Sequence, residues 1–203
     1  MSGSEEWDEN YRQRGRLWTG GVTGIPPLPP EGSILELGCG NAKTIAAVEG
    51  DARRITGIDI SRHALALARA AVPQATFCQA DARNLPFRDG TFFAVIAYHI
   101  TGHLTAAGRA VLAAEALRVL ASGGVLFVRE FSTGDFRCGK GTETESMTFR
   151  RGTGIYTHYF TPDELEALFA PARLISLESR GWVMRIRGKD YPREVIDAVF
   201  RRE

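Results

Sequence analysis

Between Ser33 and Phe131, short runs of Ile, Val, Leu and Phe alternate with alanine-rich amphipathic runs, and few folds satisfy that alternation. "SILELG" reads as a strand, "AKTIAAVEG" as a helix, "RRITGIDI" as a strand, "SRHALALARAAV" as a helix capped by Ser61, and "ATFCQA" as a strand. "FFAVIAYH" continues the series as a strand. "TAAGRAVLAAEALRVL" follows as a helix with Leu112, Ala116, Val119 and Leu120 on one face, and Gly123 and Gly124 are expected to stop it before the strand "VLFVREF". Strands this uniformly apolar are covered on both faces, so the expected fold is α/β, a doubly wound, mostly parallel sheet with right-handed crossovers. The tail departs from the rhythm. "TPDELEALF" reads as a helix opened by a Thr161 cap, and "ARLISLESRG" with "WVMRIRG" as two strands joined through Gly181, an antiparallel hairpin at one sheet edge.

The 203 residues fit one domain, and a hydrophobic share of 44% is enough to bury a full core. Lys and Arg number 25 against 24 Asp and Glu, so the chain as a whole lacks the footprint of a dedicated nucleic-acid binder. Cys39, Cys78 and Cys138 are far apart, with neither zinc nor iron–sulfur spacing, and read as reduced thiols of a cytoplasmic protein with no metal. Neither a secretory nor a membrane-spanning segment is signalled. The four prolines of "GIPPLPPEG", Gly24 to Gly32, suit an extended connector. They divide an N-terminal arm and connector, residues 1–32, from a main domain, residues 33–203.

In an open parallel sheet, ligands gather beyond the carboxyl ends of the strands, commonly after the first one. "ILELGCGNAKT" lies there: Gly38 and Gly40 let the backbone turn sharply and approach a ligand, while the next helix points amide groups at it. A dinucleotide loop would place a third small residue at position 43, where this chain has Lys43, which argues against a nicotinamide or flavin site. Asp59 ends the second strand, where a carboxylate accepts both hydroxyls of a ribose. Asp81 follows the third, where it accepts from an adenine amino group.

Glu36, Gly38 and Gly40, then Asp59, Asp81 with Ala82 and "LPF", then "YHITGHL" and "LRVLASGGVLFV", resemble the class I S-adenosylmethionine-dependent methyltransferases, in order and at usual separations from Ser33 to Phe131. The resemblance implies a Rossmann-like sheet of seven strands with the last one reversed, and S-adenosylmethionine as cofactor. It implies that Gly38, Cys39, Gly40 and Asn41 line the methionine portion, with Glu36 supporting the loop or meeting the ammonium group. Asp59 would grip the ribose, Ile60 would pack on adenine, and Asp81 with the Ala82 amide would read the adenine edge. Tyr98 and His99 would close over the sulfonium end. Two positions depart from the pattern: Phe93 stands where many relatives carry an acid that partners the loop, and Ser122 replaces a common proline.

Methyl transfer from a sulfonium is an in-line displacement in which positioning supplies most of the effect, and a base matters only for a protonated nucleophile. His99 and His103, just beyond the fourth strand, are the candidate bases, with His158 behind them. The Asn/Asp-Pro-Pro-Tyr tetrapeptide of enzymes that methylate exocyclic amino groups is replaced by "AYHI". Residues 129–160, too long for an ordinary connector, are the expected acceptor-side insertion. Arg129, Arg150, Arg151, Tyr156 and His158 are its candidate substrate contacts, a mix of cations and aromatics suited to a phosphate-bearing or stacked acceptor. Part of it, "FRRGTGIYTHYFTPDELEALF", is similar to the transfer-RNA cytidine methyltransferase-like proteins, so both a small molecule and RNA stay open as acceptors. Trp7, Tyr11, Arg16 and Trp18 mark the arm as a lid over the cofactor pocket. The competing readings are a non-catalytic S-adenosylmethionine sensor or inactive subunit, and a nicotinamide-dependent oxidoreductase; the oligomeric state stays open.

Overall fold

In the computed structural model, residues 3–15, 24, 28–29, 31–48 and 54–203 are described. Arg16, Trp18 and most of the proline-rich connector lie outside them. A seven-stranded sheet is built from β1 (Ile34–Leu37), β2 (Ile55–Asp59), β3 (Thr76–Gln79), β4 (Phe92–Tyr98), β5 (Leu120–Phe131), β9 (Arg173–Ile186) and β10 (Lys189–Arg201), in the order β3-β2-β1-β4-β5-β10-β9. The contacts among β1 to β5 are parallel, and β10 runs antiparallel to both neighbours. A doubly wound sheet with one reversed strand is the architecture expected from the alternation.

Period-two alternation explains why its strands read as continuous apolar runs. Leu35, Leu37, Val95, Ala97, Leu126 and Val128 face α4 (Ala106–Val119) and α5 (Pro162–Leu168), where Leu112, Ala116, Val119 and Leu165 complete one core. Ile34, Ala94, Ile96 and Phe127 face the other way, toward α2 (Lys43–Ala47) and α3 (Arg62–Ala71), and pack on Ile45, Leu65 and Ala68. The anticipated caps form. The Ser61 hydroxyl accepts from the Ala64 amide at 3.1 Å and the Thr161 hydroxyl from the Glu164 amide at 3.2 Å, satisfying amides left over at each helix start.

Two local expectations are corrected. The helix before β5 ends at Val119, and Gly123 and Gly124 lie inside β5, at an irregular register where β5 meets β4. Gly181 joins no hairpin either: Arg173 to Ile186 is one strand that runs through it. The turn falls instead at Arg187 and Gly188, whose φ angles of 49° and 79° fit the two-residue hairpin loop that matches strand twist. The basic tail thereby becomes β10, in the sheet.

Residues 129–160 supply the end of β5 and a small antiparallel sheet, β6 (Thr142–Glu145), β7 (Thr148–Arg150) and β8 (Tyr156–His158), in that order. It is tied to the main core. Arg109 of α4 is buried beside Glu145, Glu164 and the Thr148 hydroxyl, while Phe149 and Tyr159 pack with Phe131 and Val195. The arm contributes α1 (Ser4–Arg14), whose Asp8 accepts hydrogen bonds from the Ser61 hydroxyl at 2.8 Å and the His63 amide at 3.1 Å. Among the described residues no helix is long and apolar enough to cross a membrane.

Candidate functional site

The loop after β1 is held at the carboxyl edge of the sheet by its own backbone. Gly38 and Gly40 have φ of 66° and 53°, and Ala42 at 59° shares this left-handed region, which costs a side-chain-bearing residue about 1 to 3 kcal/mol. The Cys39 amide donates to the Ile58 carbonyl at 2.8 Å, pinning the loop to β2. A Cβ on Gly38 would fall 2.8 Å from the Ile100 side chain. Cys39 itself is small and buried, its thiol pushed up by burial, and it fills space against Gly57. Asn41 is buried in the same turn.

Asp59 closes the other side of the loop. One carboxylate oxygen accepts the Gly40 amide and the other the Ser61 amide, each at 2.9 Å, so the residue is 8% exposed and burial raises its pKa despite those bonds. Glu36 is buried more deeply, and its Oε2 has no hydrogen-bond partner. Burial lifts its pKa to about 8, partly opposed by a hydrogen bond with Thr44. A carboxyl oxygen stranded this way in the strand that leads into the glycine loop suits a ligand bearing N–H groups.

Tyr11 of α1 reaches into this same place. Its ring is 5% exposed and its hydroxyl lies against Gly40, occupying the space a Cβ there would need. Burial and the neighbouring Asp59, Cys39 and Glu36 hold the phenol protonated. The arm therefore packs directly against the loop, beside Asp59.

The other candidates fall into two groups. At the third strand's end, Asp81 is bound by its own neighbour, with Arg83 Nη2 at 2.6 Å and the Arg83 amide at 2.9 Å, which keeps its pKa low. Ala82 is buried beside it, and Ile60 follows Asp59 with its carbonyl accepting from Gln79 at 3.0 Å. At the fourth strand's end, Tyr98 lies under the Arg129 guanidinium, 4.4 Å from ring centroid to Cζ. His99 stacks on Phe131 at 4.3 Å. Its φ is 55° and its Nδ1 is buried without a partner. Burial first, then Arg129, His103, Arg137 and Arg193, push its pKa down to about 3, so the imidazole is neutral across the physiological range. His103 donates from Nδ1 to the Tyr156 carbonyl at 2.6 Å, and burial lowers its pKa too. The Trp7 ring of α1 meets it edge-on at 4.8 Å.

The candidate acceptor contacts are dispersed. Arg129 is buried in an ion pair with Asp197 at 2.5 Å and donates to the Gly24 carbonyl at 2.9 Å. His158 is 2% exposed, with Thr148 Oγ1 on Nδ1 and Glu164 Oε1 on Nε2, both at 2.8 Å; it ties β8 to α5 and has no ring nitrogen left for a ligand. Arg150 and Tyr156 do come together. With Trp7, His103 and Glu6 they line a cavity of about 160 Å³ between α1 and the insertion.

Glu130 is a functional candidate that sequence reasoning passed over. It is 1% exposed, and its Oε1 accepts the Thr101 amide at 2.7 Å, fixing the turn that carries His99 and His103. An acid on the core side of an apolar strand was the available signal. Phe93 needs a correction: it precedes the stretch in which Ala94 pairs with Ile34 and Ala97 with Leu37, so it lies at the opposite end of β4 from the glycine loop. Its ring packs on Gly32, and an acid there could not have met the loop in this fold.

Residues 34–124 match the family of the methyltransferase domain. Over this stretch, which is less than half of the chain, the sequence is similar to that domain. Among relatives of this chain, a 2-methyl-6-phytyl-1,4-hydroquinone methyltransferase of Synechocystis is 34% identical over 118 residues, 56% of this chain and 36% of that protein. A probable S-adenosylmethionine-dependent methyltransferase of Mycolicibacterium smegmatis is 29% identical over 153 residues, covering 72% of this chain and 59% of its own. The crystal structure of a SAM-dependent methyltransferase from Methanosarcina mazei superposes with a TM-score of 0.68 at 26% identity, over 87% of this chain and 95% of that one. The chain spans 36% to 48% of the length of the first three curated relatives it matches.

Proposed function

We propose that this chain is a methyltransferase that binds S-adenosylmethionine at the loop after β1 and passes its methyl group to an acceptor lodged between α1 and residues 129–160. The observation that carries the reading is the joint placement, on adjacent parallel strands at one glycine loop, of Glu36, with an unpartnered buried oxygen, and Asp59, bonded to the Gly40 amide. Both groups fit the cofactor: a buried acceptor for an ammonium and a carboxylate for a diol. Bound there, S-adenosylmethionine supplies an activated methyl on a cationic sulfur. The chain's residues contribute placement. Gly38 and Gly40 leave room for the methionine portion along with Cys39 and Asn41, Asp59 and Ile60 hold the ribose and adenine, and Asp81 with the Ala82 amide reads the adenine edge. Tyr98 and His99 bound the sulfonium end.

His99 and His103 enter this reading as shape and hydrogen-bonding groups more than as bases. A histidine held near pKa 3 is a weak proton acceptor at neutral pH. An acceptor that reaches the site already ionised, or that carries a lone pair without a proton, suits such a neighbourhood. α1 acts as a lid, because Tyr11 and the cofactor loop share one space and the arm must shift when ligand binds. The chain works as a cytoplasmic enzyme on this account.

The second reading, a non-catalytic S-adenosylmethionine sensor, is favoured by that same tyrosine, which sits on Gly40, and by the absence of a strong base among the described residues next to β4. Calorimetric titration with S-adenosylhomocysteine, followed by turnover of S-adenosylmethionine in fractionated extract, separates the two. Binding with turnover supports the enzyme, binding alone the sensor, and binding of NAD in place of either contradicts both.

A further inference from the structure

Most arginines packed around the end of β5 are matched by acids. Arg137 and Arg193 share Asp135 at 2.8 and 2.6 Å, while Arg129 and Arg180 share Asp197 at 2.5 and 3.2 Å. A second group is not. Lys140, Arg150 and Arg151 line a groove of about 700 Å³ on the small sheet, and none of the three has a carboxylate partner among the described residues. Lys140 lies over the Phe136 ring at 4.3 Å, and among the described residues the Arg151 side chain donates to the Arg137 carbonyl and the Tyr159 hydroxyl, each at 3.0 Å, leaving a buried Nε unpartnered. The Arg150 side chain is exposed and has no hydrogen-bond or ion-pair partner among the described residues.

Strand alternation keeps acids out of this groove. Thr142 and Thr144 line it, whereas the intervening Glu143 accepts from the Met147 amide and Glu145 turns to Arg109 and the Ala106 amide. Glycines 141, 152 and 154 form part of the wall, so backbone comes close to whatever lies there. Arg150 and Gly154 also border the smaller cavity with Trp7, His103 and Tyr156, so the two spaces adjoin. That cavity, at about 160 Å³, matches the roughly 150 Å³ that accommodates a benzene ring. Glu6 Oε2, of a residue on its wall, is buried without a partner and can receive a donor from such a ring.

Resting on the methyltransferase reading, we infer that the acceptor is a small molecule with a ring-sized head and a phosphoryl group, the head between Trp7 and Tyr156 and the phosphoryl group among Lys140, Arg150 and Arg151. Three cations, the Thr142 hydroxyl and nearby backbone offer more donors than the two oxygens of a carboxylate use, and suit the three terminal oxygens of a phosphate. The head's size and a chain-wide net charge of +1 favour a small molecule over RNA.

The test is calorimetric titration of the full chain with inorganic pyrophosphate, with citrate and a single-stranded RNA oligonucleotide as comparisons, and separately with S-adenosylhomocysteine. Arg150→Glu and Lys140→Glu each remove a solvent-side cation. Each is expected to weaken pyrophosphate binding at least about tenfold, the loss of one charge-assisted contact, while S-adenosylhomocysteine affinity stays within about twofold. Pyrophosphate affinity unchanged in both variants, citrate bound more tightly than pyrophosphate, or RNA bound more tightly than either overturns the inference. Loss of S-adenosylhomocysteine binding by the unaltered chain defeats the methyltransferase reading instead, and the pyrophosphate series still decides the groove.

Discussion

Asp59→Asn is the substitution that most cleanly weighs the loop's architecture against its ligand. The carboxylate accepts two buried amides, from Gly40 and Ser61. An asparagine has one acceptor oxygen, so its NH₂ must face one of those N–H groups. A stranded buried donor costs about 1 to 3 kcal/mol, and removal of a charge that burial disfavours offsets part of it, leaving about 1 to 2 kcal/mol of lost stability. In a chain of this length that lowers Tm by about 2 to 8 °C. Binding should suffer separately. A charged acceptor is worth about 1 kcal/mol more than a neutral one for each hydroxyl it receives, so two ribose hydroxyls set a loss of about 2 kcal/mol, or roughly thirtyfold in affinity. Differential scanning calorimetry reads the first effect and titration with S-adenosylhomocysteine the second. A variant that melts lower yet binds with undiminished affinity would refute the ribose contact, and one unchanged in both would refute the loop geometry as well.

Tyr11→Ala removes the ring that shares space with the cofactor loop; stopped-flow mixing with S-adenosylhomocysteine should show association at least about fivefold faster, and an unaltered rate would contradict a gating arm. Glu130 is lifted by burial from an ordinary 4.5 to about 8. Because the folded-state value is the higher one, its contribution to stability is fully present below about pH 4.5 and is lost as pH rises through about 8. Glu130→Gln should flatten the stability profile over that window by roughly 1 kcal/mol per pH unit, and denaturant melts at several pH values that keep the original slope would contradict the assignment. His99→Asn, which keeps a side chain tolerant of positive φ, should retain the fold and lose less than about a hundredfold in kcat, with no inflection near pH 6.5 in the activity profile; a larger loss with a shifted profile would restore His99 as the base.

The sheet was legible because β1, β2, β4 and β5 carry buried apolar residues on both faces and the helices between them turn an apolar stripe to the sheet. The helix starts at Ser61 and Thr161 were legible because a capping hydroxyl acts within three residues. What depended on partners distant in sequence was harder to see. Gly181 looks like a turn, yet the register of β9 against β10 carries the chain straight through it and places the turn at Arg187 and Gly188. Val119 ends α4 well before the glycines because Leu120 already pairs with Phe92. Glu36, Gly38 and Gly40 come together with Asp59, as the sequence suggests, because β1 and β2 are parallel neighbours and their carboxyl ends lie side by side. The role of His158 was not legible: a histidine among aromatics and arginines looks ligand-facing until Thr148 and Glu164 are seen on its two nitrogens. Nor could local sequence show that Tyr11, in the arm, would lie against Gly40.

The most direct measurement is a crystal structure of the chain with S-adenosylhomocysteine. The account predicts electron density for the ribose on Asp59, the adenine beside Asp81 and Ala82, and the amino-acid end above Gly38 with its ammonium toward Glu36, Tyr11 having moved off Gly40. Density for the nucleoside anywhere else, with Tyr11 still seated on the loop and Asp59 still bonded only to its two amides, would contradict it.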